Sequence, residues 1–243
     1  MITDRPIQSS MNINKDQSCN TNSDFVANLS QYSLVIFDWD GTLMDSTARI
    51  VSCMQSTAKI ANLPVPSEQQ VKGIIGLSMA AVLDKMFPAA GIERRTELTD
   101  IYRQHYIELD TTPSPLFEGT LPLLEELKSR NIKTAVATGK ARAGLTRALE
   151  SVDLLDYFEY SICADEAESK PHPEMVHRLL QQTGKSASQS LIIGDSVHDL
   201  GMAKNAGVAS IGVTTGANKK HELEAFAPLH IIDDLSQLNP LFV

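Results

Sequence analysis

The chain has 243 residues, of which 42% are hydrophobic and 21% charged, and it carries a formal net charge of −9. That is enough for one large domain or two small ones with a real core, in the composition range of soluble globular proteins. The acidic balance and the lack of any basic run argue against a nucleic-acid or anionic-membrane surface.

Residues 1–31 are rich in Ser, Asn, Gln and Asp and are expected to form a disordered polar tail, with Met11 as a second candidate initiator. No stretch approaches the length of a membrane span, and the N-terminus lacks the apolar core of a signal peptide. Cys19, Cys53 and Cys163 are widely spaced, with no CxxC pair and no metal-ligand pattern. Reduced thiols in a cytoplasmic protein are the expectation.

The first strong signal is Leu34-Val35-Ile36-Phe37, an unbroken apolar run leading into Asp38-Trp39-Asp40-Gly41-Thr42. Such a run reads as a central parallel strand buried on both faces, and Gly41 ends it. Asp38 and Asp40 therefore fall at the strand's C-terminal end, where open α/β sheets bind ligands. Two carboxylates so close repel unless a cation or proton lies between them, and Mg²⁺ favours such oxygen ligands.

Asp45 or Ser46 is placed to cap a helix with Ile50, Val51, Met54 and Ala58 on one face, ending before Pro64 and Pro66. Ser67 with Gln70 resembles a capping box for a helix over 68–75. Further helical patterns cover 79–87 and 94–109, so residues 48–116 are expected to be a helical insertion. Helices over 120–130, 141–151, 173–182 and 197–206 then alternate with strands over 132–137, 160–164, 190–194 and 208–213, and an edge strand is expected over 229–232. Strands separated by helices predict an α/β fold with a doubly wound parallel sheet. The expected division is a tail at 1–31, a core at 32–47 and 117–243, and an α-helical cap at 48–116.

Several strand ends carry polar chemistry. Thr138-Gly139 offers a hydroxyl and free amides just ahead of a helix, suited to an anion, although a plain strand-to-helix turn has the same residues. Lys170 lies between Ser169 and Pro171-His172-Pro173, where the prolines stiffen the backbone. Asp195 and Asp199 follow the strand over 190–194 and could serve a metal or cap the next helix. His172, His177 and His198 lack zinc-ligand spacing, and His198 is expected in a turn near the site mouth. Trp39 is expected to pack beside the first motif, and Met79, Met86, Met175 and Met202 fit core positions.

In this order the motifs Asp38-Trp39-Asp40-Gly41-Thr42, Thr138-Gly139, Lys170 and Gly194-Asp195-Ser196-Val197-His198-Asp199 resemble those of the haloacid dehalogenase superfamily of phosphotransferases. The similarity spans residues 32 to about 232, with a Rossmann-like core, and the helical insertion looks like that family's small cap. The contexts of Lys170 and Asp195 are similar to phosphoglycolate phosphatases and their relatives. The resemblance implies a Mg²⁺-dependent phosphatase in which Asp38 attacks phosphorus to form an aspartyl-phosphate. Asp40 would protonate the leaving alkoxide and then activate water. Asp38, the main-chain carbonyl of Asp40 and Asp195 would hold Mg²⁺. Thr138, Gly139 and Thr42 would contact substrate, Lys170 would stabilise nucleophile and transition state, and Asp199 would orient the site or Lys170. A carboxylate at position 40 argues against the dehalogenating and phosphonate-cleaving branches.

Lys72, Gly73, Gly76, Leu77 and Ser78 form a compact cap segment with Gly76 placed to approach substrate. The first substrate candidate is 2-phosphoglycolate, its carboxylate met by this segment or by one of Lys72, Lys85, Arg94, Arg95 and Arg103. A sugar-phosphate mutase, a nucleotidase or a pyrophosphatase on the same core are alternatives, and a non-catalytic interaction module a remote one. The expected partner is a small phosphorylated metabolite, with no nucleic acid and no membrane, the protein acting as monomer or homodimer.

Overall fold

A computed structural model describes residue 29 and residues 31–242. The expected tail lies outside the described residues except for Leu29 and Gln31, and Leu29 is fully buried in the core. Six parallel strands form one sheet in the order β3-β2-β1-β4-β5-β6: β1 (Leu34–Phe37), β2 (Lys133–Thr138), β3 (Tyr160–Cys163), β4 (Ser190–Gly194), β5 (Ala209–Val213) and β6 (His230–Ile232). The order reverses at β1, which pairs with β2 on one side and β4 on the other. A crevice at such a switch point, beyond the strands' C-terminal ends, is where this architecture holds ligands.

Both faces of β1 are buried, as its unbroken apolar run requires. Val35 and Phe37 pack with Trp39 and with leucines of α5 (Thr120–Ser129) and α6 (Arg142–Ser151). Leu34 and Ile36 point the other way, into α7 (Glu174–Thr183) and α8 (Val197–Ala206), where Met175 and Met202 are core residues as expected. A short α9 (Lys220–Glu224) precedes β6.

Between β1 and α5 the described residues form helices and turns without a strand of their own. They are α1 (Thr47–Ile60), α2 (Glu68–Lys72), α3 (Met79–Met86) and α4 (Ile92–Gln104), the last continuing into a π-helical turn, His105–Leu109. These elements enclose a separate hydrophobic cluster including Ile50, Met54, Val71, Ile75, Val82 and Leu98, with Met79 and Met86 packed against it. Among the described residues no helix is long and apolar enough to cross a membrane.

Several boundaries differ from the sequence reading for local reasons. The capping box of Ser67 and Gln70 is present, but α2 stops at Lys72 and Gly73 is its C-cap. The helix expected over 94–109 begins at Ile92, which is 86% exposed and so adds nothing to an apolar period. β2 covers Lys133–Thr138, one residue later than expected. Pro173 is the N-cap of α7, not its first residue. His198 lies in the first turn of α8, and its Nε2 is 3.2 Å from the Gly73 carbonyl.

Candidate active site

Asp38 and Asp40 leave the end of β1, and Gly41 turns the chain away with φ +86. A Cβ on Gly41 would come within 2.5 Å of Asp195 Oδ2, so both the backbone conformation and the close approach demand glycine. β4 delivers Asp195 beside this turn, and the loop before α7 delivers Lys170. Its ammonium, fully buried, donates to Asp38 Oδ1 at 2.7 Å and to Asp199 Oδ1 at 2.6 Å. The other oxygen of Asp199 accepts from the backbone and hydroxyl of Ser196 at 3.1 and 2.6 Å.

Burial opposes the charge of Lys170, but Asp199 and Asp38 outweigh it and hold the ammonium above the ordinary lysine pKa. Asp38 is raised well above the usual carboxylate range, chiefly by burial, with Lys170 opposing the shift. Asp195 is pushed up to about 7, by burial and then by the charge of Asp199. Its oxygens accept from the Thr42 hydroxyl at 2.8 Å and the Ala217 amide at 2.7 Å. The single hydroxyl proton of Thr42 therefore goes to Asp195 in this arrangement.

Asp40 is engaged elsewhere. Its Oδ1 accepts from Ser46 Oγ at 2.5 Å and lies 2.9 Å from Lys140 Nζ. Ser46 is the N-cap residue of α1, yet its hydroxyl caps no helix amide and serves Asp40 instead. Lys140 was not singled out from the sequence, although it directly follows Thr138-Gly139. Burial opposes its charge too, but Asp40 and Tyr106 keep its pKa above the ordinary value. Its ammonium contacts the Tyr106 hydroxyl at 3.2 Å and lies 4.7 Å from the centre of that ring. Thr138 is buried, and its Oγ1 accepts from the Lys140 amide at 3.1 Å.

The helical insertion closes over these residues. A Cβ on Gly139 would come within 2.6 Å of the carbonyl oxygens of Gly76 and Leu77. Gly76, with φ +91, lies against the cluster: a Cβ there would be 4.0 Å from Asp38 Oδ2. The Ser78 amide donates to Ser169 Oγ at 2.9 Å, tying the same segment to the loop of Lys170. Of the cations expected to meet a substrate carboxylate, Lys72 pairs with Glu68, Arg94 with Glu97 and Arg95 with Asp84 on the surface. Only Arg103 among them lines the cavity that opens beside Asp40, which has a volume of about 420 Å³.

The profile of the haloacid dehalogenase-like hydrolase family matches residues 35–213, most of the chain. The chain belongs to this family. The probable phosphatase IndB of Dickeya dadantii is 35% identical to this hydrolase over 209 residues, 84% of the chain and 91% of the relative. Pyrophosphatase PpaX of Bacillus cereus is 28% identical over 208 residues, covering 85% and 94%. A solved structure from Haemophilus somnus, described as a predicted phosphoglycolate phosphatase, superposes with a TM-score of 0.79 at 26% identity, covering 88% of the hydrolase and 99% of that chain.

The donor set of the hydrolase fits the divalent ion that its family implies. Oxygens of Asp38, Asp195 and Asp199 lie within 4.8 Å of one another, and the one ammonium among them, Lys170, bonds only Asp38 and Asp199. Asp38 Oδ2 is buried with no hydrogen-bond partner. A hard cation among these carboxylates would supply the missing positive charge.

Proposed function

We propose that this hydrolase is a Mg²⁺-dependent phosphatase that cleaves a small-metabolite phosphomonoester through a phosphorylated Asp38. The observation that supports this most is the state of Asp38: one carboxylate oxygen is fixed by Lys170 at 2.7 Å, and the other is buried without a partner. A nucleophile needs this combination of held geometry and a free lone pair. Mg²⁺, held by Asp38 and Asp195 with the Asp40 carbonyl, would supply charge neutralisation as the carboxylate meets an anionic phosphoryl group.

Asp40 lies two residues beyond the nucleophile and lines the cavity, the right placement to give a proton to a departing alkoxide. Ser46 and Lys140 fix its orientation. Thr138 and the Gly139 amide are the phosphoryl contacts at the end of β2, with Lys170 adding charge as negative charge grows on the transferring group. Residues 48–116 act as a cap. Asp38 is 3% exposed beneath the Gly76 segment, so that segment must lift for substrate to enter and close to exclude water.

Acid-quenched enzyme, mixed with substrate and Mg²⁺ and then treated with borohydride, tests this by peptide mass spectrometry. Reduction of an acyl phosphate at residue 38 to homoserine is expected. Steady phosphate release with no modification at Asp38 under single-turnover conditions would remove it as nucleophile.

A further inference from the structure

The cavity beside Asp40 differs in character from the site it adjoins. Its apolar wall is built by Met54, Ile74, Ile75, Tyr102 and Tyr106 of the insertion, with the exposed Ile107 also lining it. Tyr102 and Tyr106 stack with centroids 5.9 Å apart and planes 28° from parallel, and the cations of Lys140 and Arg49 lie over the Tyr106 ring. The polar groups lining it next to the reaction centre are Asp40 and Lys140, which already hold each other at 2.9 Å, with Lys140 also against Tyr106. Among the described residues the other cations lining it, Arg103 and Arg147, are exposed.

A volume of about 420 Å³ falls in the range of roughly 300–1,000 Å³ that encloses drug-sized ligands. A two-carbon acid such as 2-phosphoglycolate would leave most of it to water, against walls that gain nothing from water. Asp40 marks the side on which the alcohol departs, and Asp38 does not line the cavity. The space therefore belongs to the leaving group and not to the phosphoryl group.

We propose that the substrate is the monophosphate of a bulky, uncharged alcohol with a flat apolar or aromatic face, which lies against Tyr102 in this apolar space while its ester oxygen meets Asp40. This rests on the phosphatase reading and narrows its substrate class away from 2-phosphoglycolate.

The test compares ethyl phosphate, 2-phenylethyl phosphate and 2-phosphoglycolate with the whole protein and Mg²⁺. Ethyl and 2-phenylethyl phosphate release similar alkoxides, so a difference between them reports the cavity and not the leaving group. kcat/KM for 2-phenylethyl phosphate is expected to exceed both others at least tenfold, about 1.4 kcal/mol of transition-state binding. A value for 2-phosphoglycolate equal to or above it would overturn the proposal. Calorimetry with the uncleavable 3-phenylpropylphosphonate and propylphosphonate gives a readout free of turnover. The aryl compound is expected to bind at least tenfold more tightly with a more negative heat-capacity change, and equal affinities would overturn the proposal. If the binding preference holds but none of the three esters releases phosphate, the phosphatase reading fails and the ligand class stands. Tyr102→Leu keeps side-chain bulk on α4 and removes the flat face. It is expected to lower the 2-phenylethyl to ethyl ratio at least fivefold, and an unchanged ratio in a folded variant would overturn the placement of the ring.

Discussion

The two halves of the site are built by opposite means. At the sheet end, carboxylates and ammonium groups are buried and tied to one another: Lys170 bridges Asp38 and Asp199, and Thr42 and Ala217 hold Asp195. The insertion contributes an apolar wall and two stacked tyrosines. Buried charge networks tolerate little change, because removing one partner strands another. Apolar walls tolerate exchange of side chains of similar volume at a smaller cost. The first half can keep one reaction while the second is reshaped for different alcohols, which separates chemistry from specificity within a single chain.

Substitutions graded across the two halves test that division. Asp38→Asn should abolish phosphate release while circular dichroism and melting remain close to those of the parent, since the amide keeps the shape but loses the nucleophile. Measurable turnover in a well-folded variant would break the assignment. Removing divalent ions with a chelator should come next, reducing activity to background, with Mg²⁺ restoring it and Ca²⁺ doing so poorly. Ca²⁺ accepts more ligands at longer range than the near-octahedral Mg²⁺ and can engage both oxygens of Asp38. Asp40→Asn should cost about 10²–10⁴-fold for alkyl esters, the usual weight of acid–base catalysis. An activated ester such as p-nitrophenyl phosphate should lose less in the first step, and equal single-turnover losses would exclude Asp40 as the leaving-group acid.

What the sequence disclosed follows the same division. β1 and β4 were legible because buried parallel strands are unbroken apolar runs. The acidic and basic residues of the sheet end were legible because each follows a strand end, where topology alone brings them together. Lys140 was not legible, since its partner Asp40 is distant in sequence and its position in a strand-to-helix turn has an ordinary explanation. Ser46 looked like a helix cap, and only the folded arrangement shows its hydroxyl on Asp40. The cavity wall was hidden for a further reason: Ile50 and Met54 show the same helical spacing whether they fill a core or line a space.

Gly139→Ala probes the junction between the halves. The added methyl would meet the carbonyl oxygens of Gly76 and Leu77 at 2.6 Å, and backbone atoms cannot swing aside as a flexible side chain can. Overpacking of this kind costs about 1–3 kcal/mol, and the strain is relieved by displacing the insertion from the sheet end. kcat/KM should fall by about tenfold or more while the sheet core still melts cooperatively. Unchanged kcat/KM would mean that the Gly76 segment need not close on Gly139 during turnover.

The smallest effect is expected for Tyr106→Phe. The ring stays, so its contacts with the guanidinium of Arg49 at 4.9 Å and the ammonium of Lys140 at 4.7 Å persist. Only the hydroxyl contact to Lys140 at 3.2 Å is lost. A hydrogen bond to a charged group contributes about 1.5–3 kcal/mol at most, but Lys140 keeps Asp40 as its stronger partner at 2.9 Å. A fall of less than about fivefold in kcat/KM therefore follows if the sheet end holds Lys140 by itself. A loss as large as that of Asp40→Asn, in a variant that melts normally, would show that the insertion fixes Lys140, and with it the proton donor. The two halves would then be a single catalytic unit.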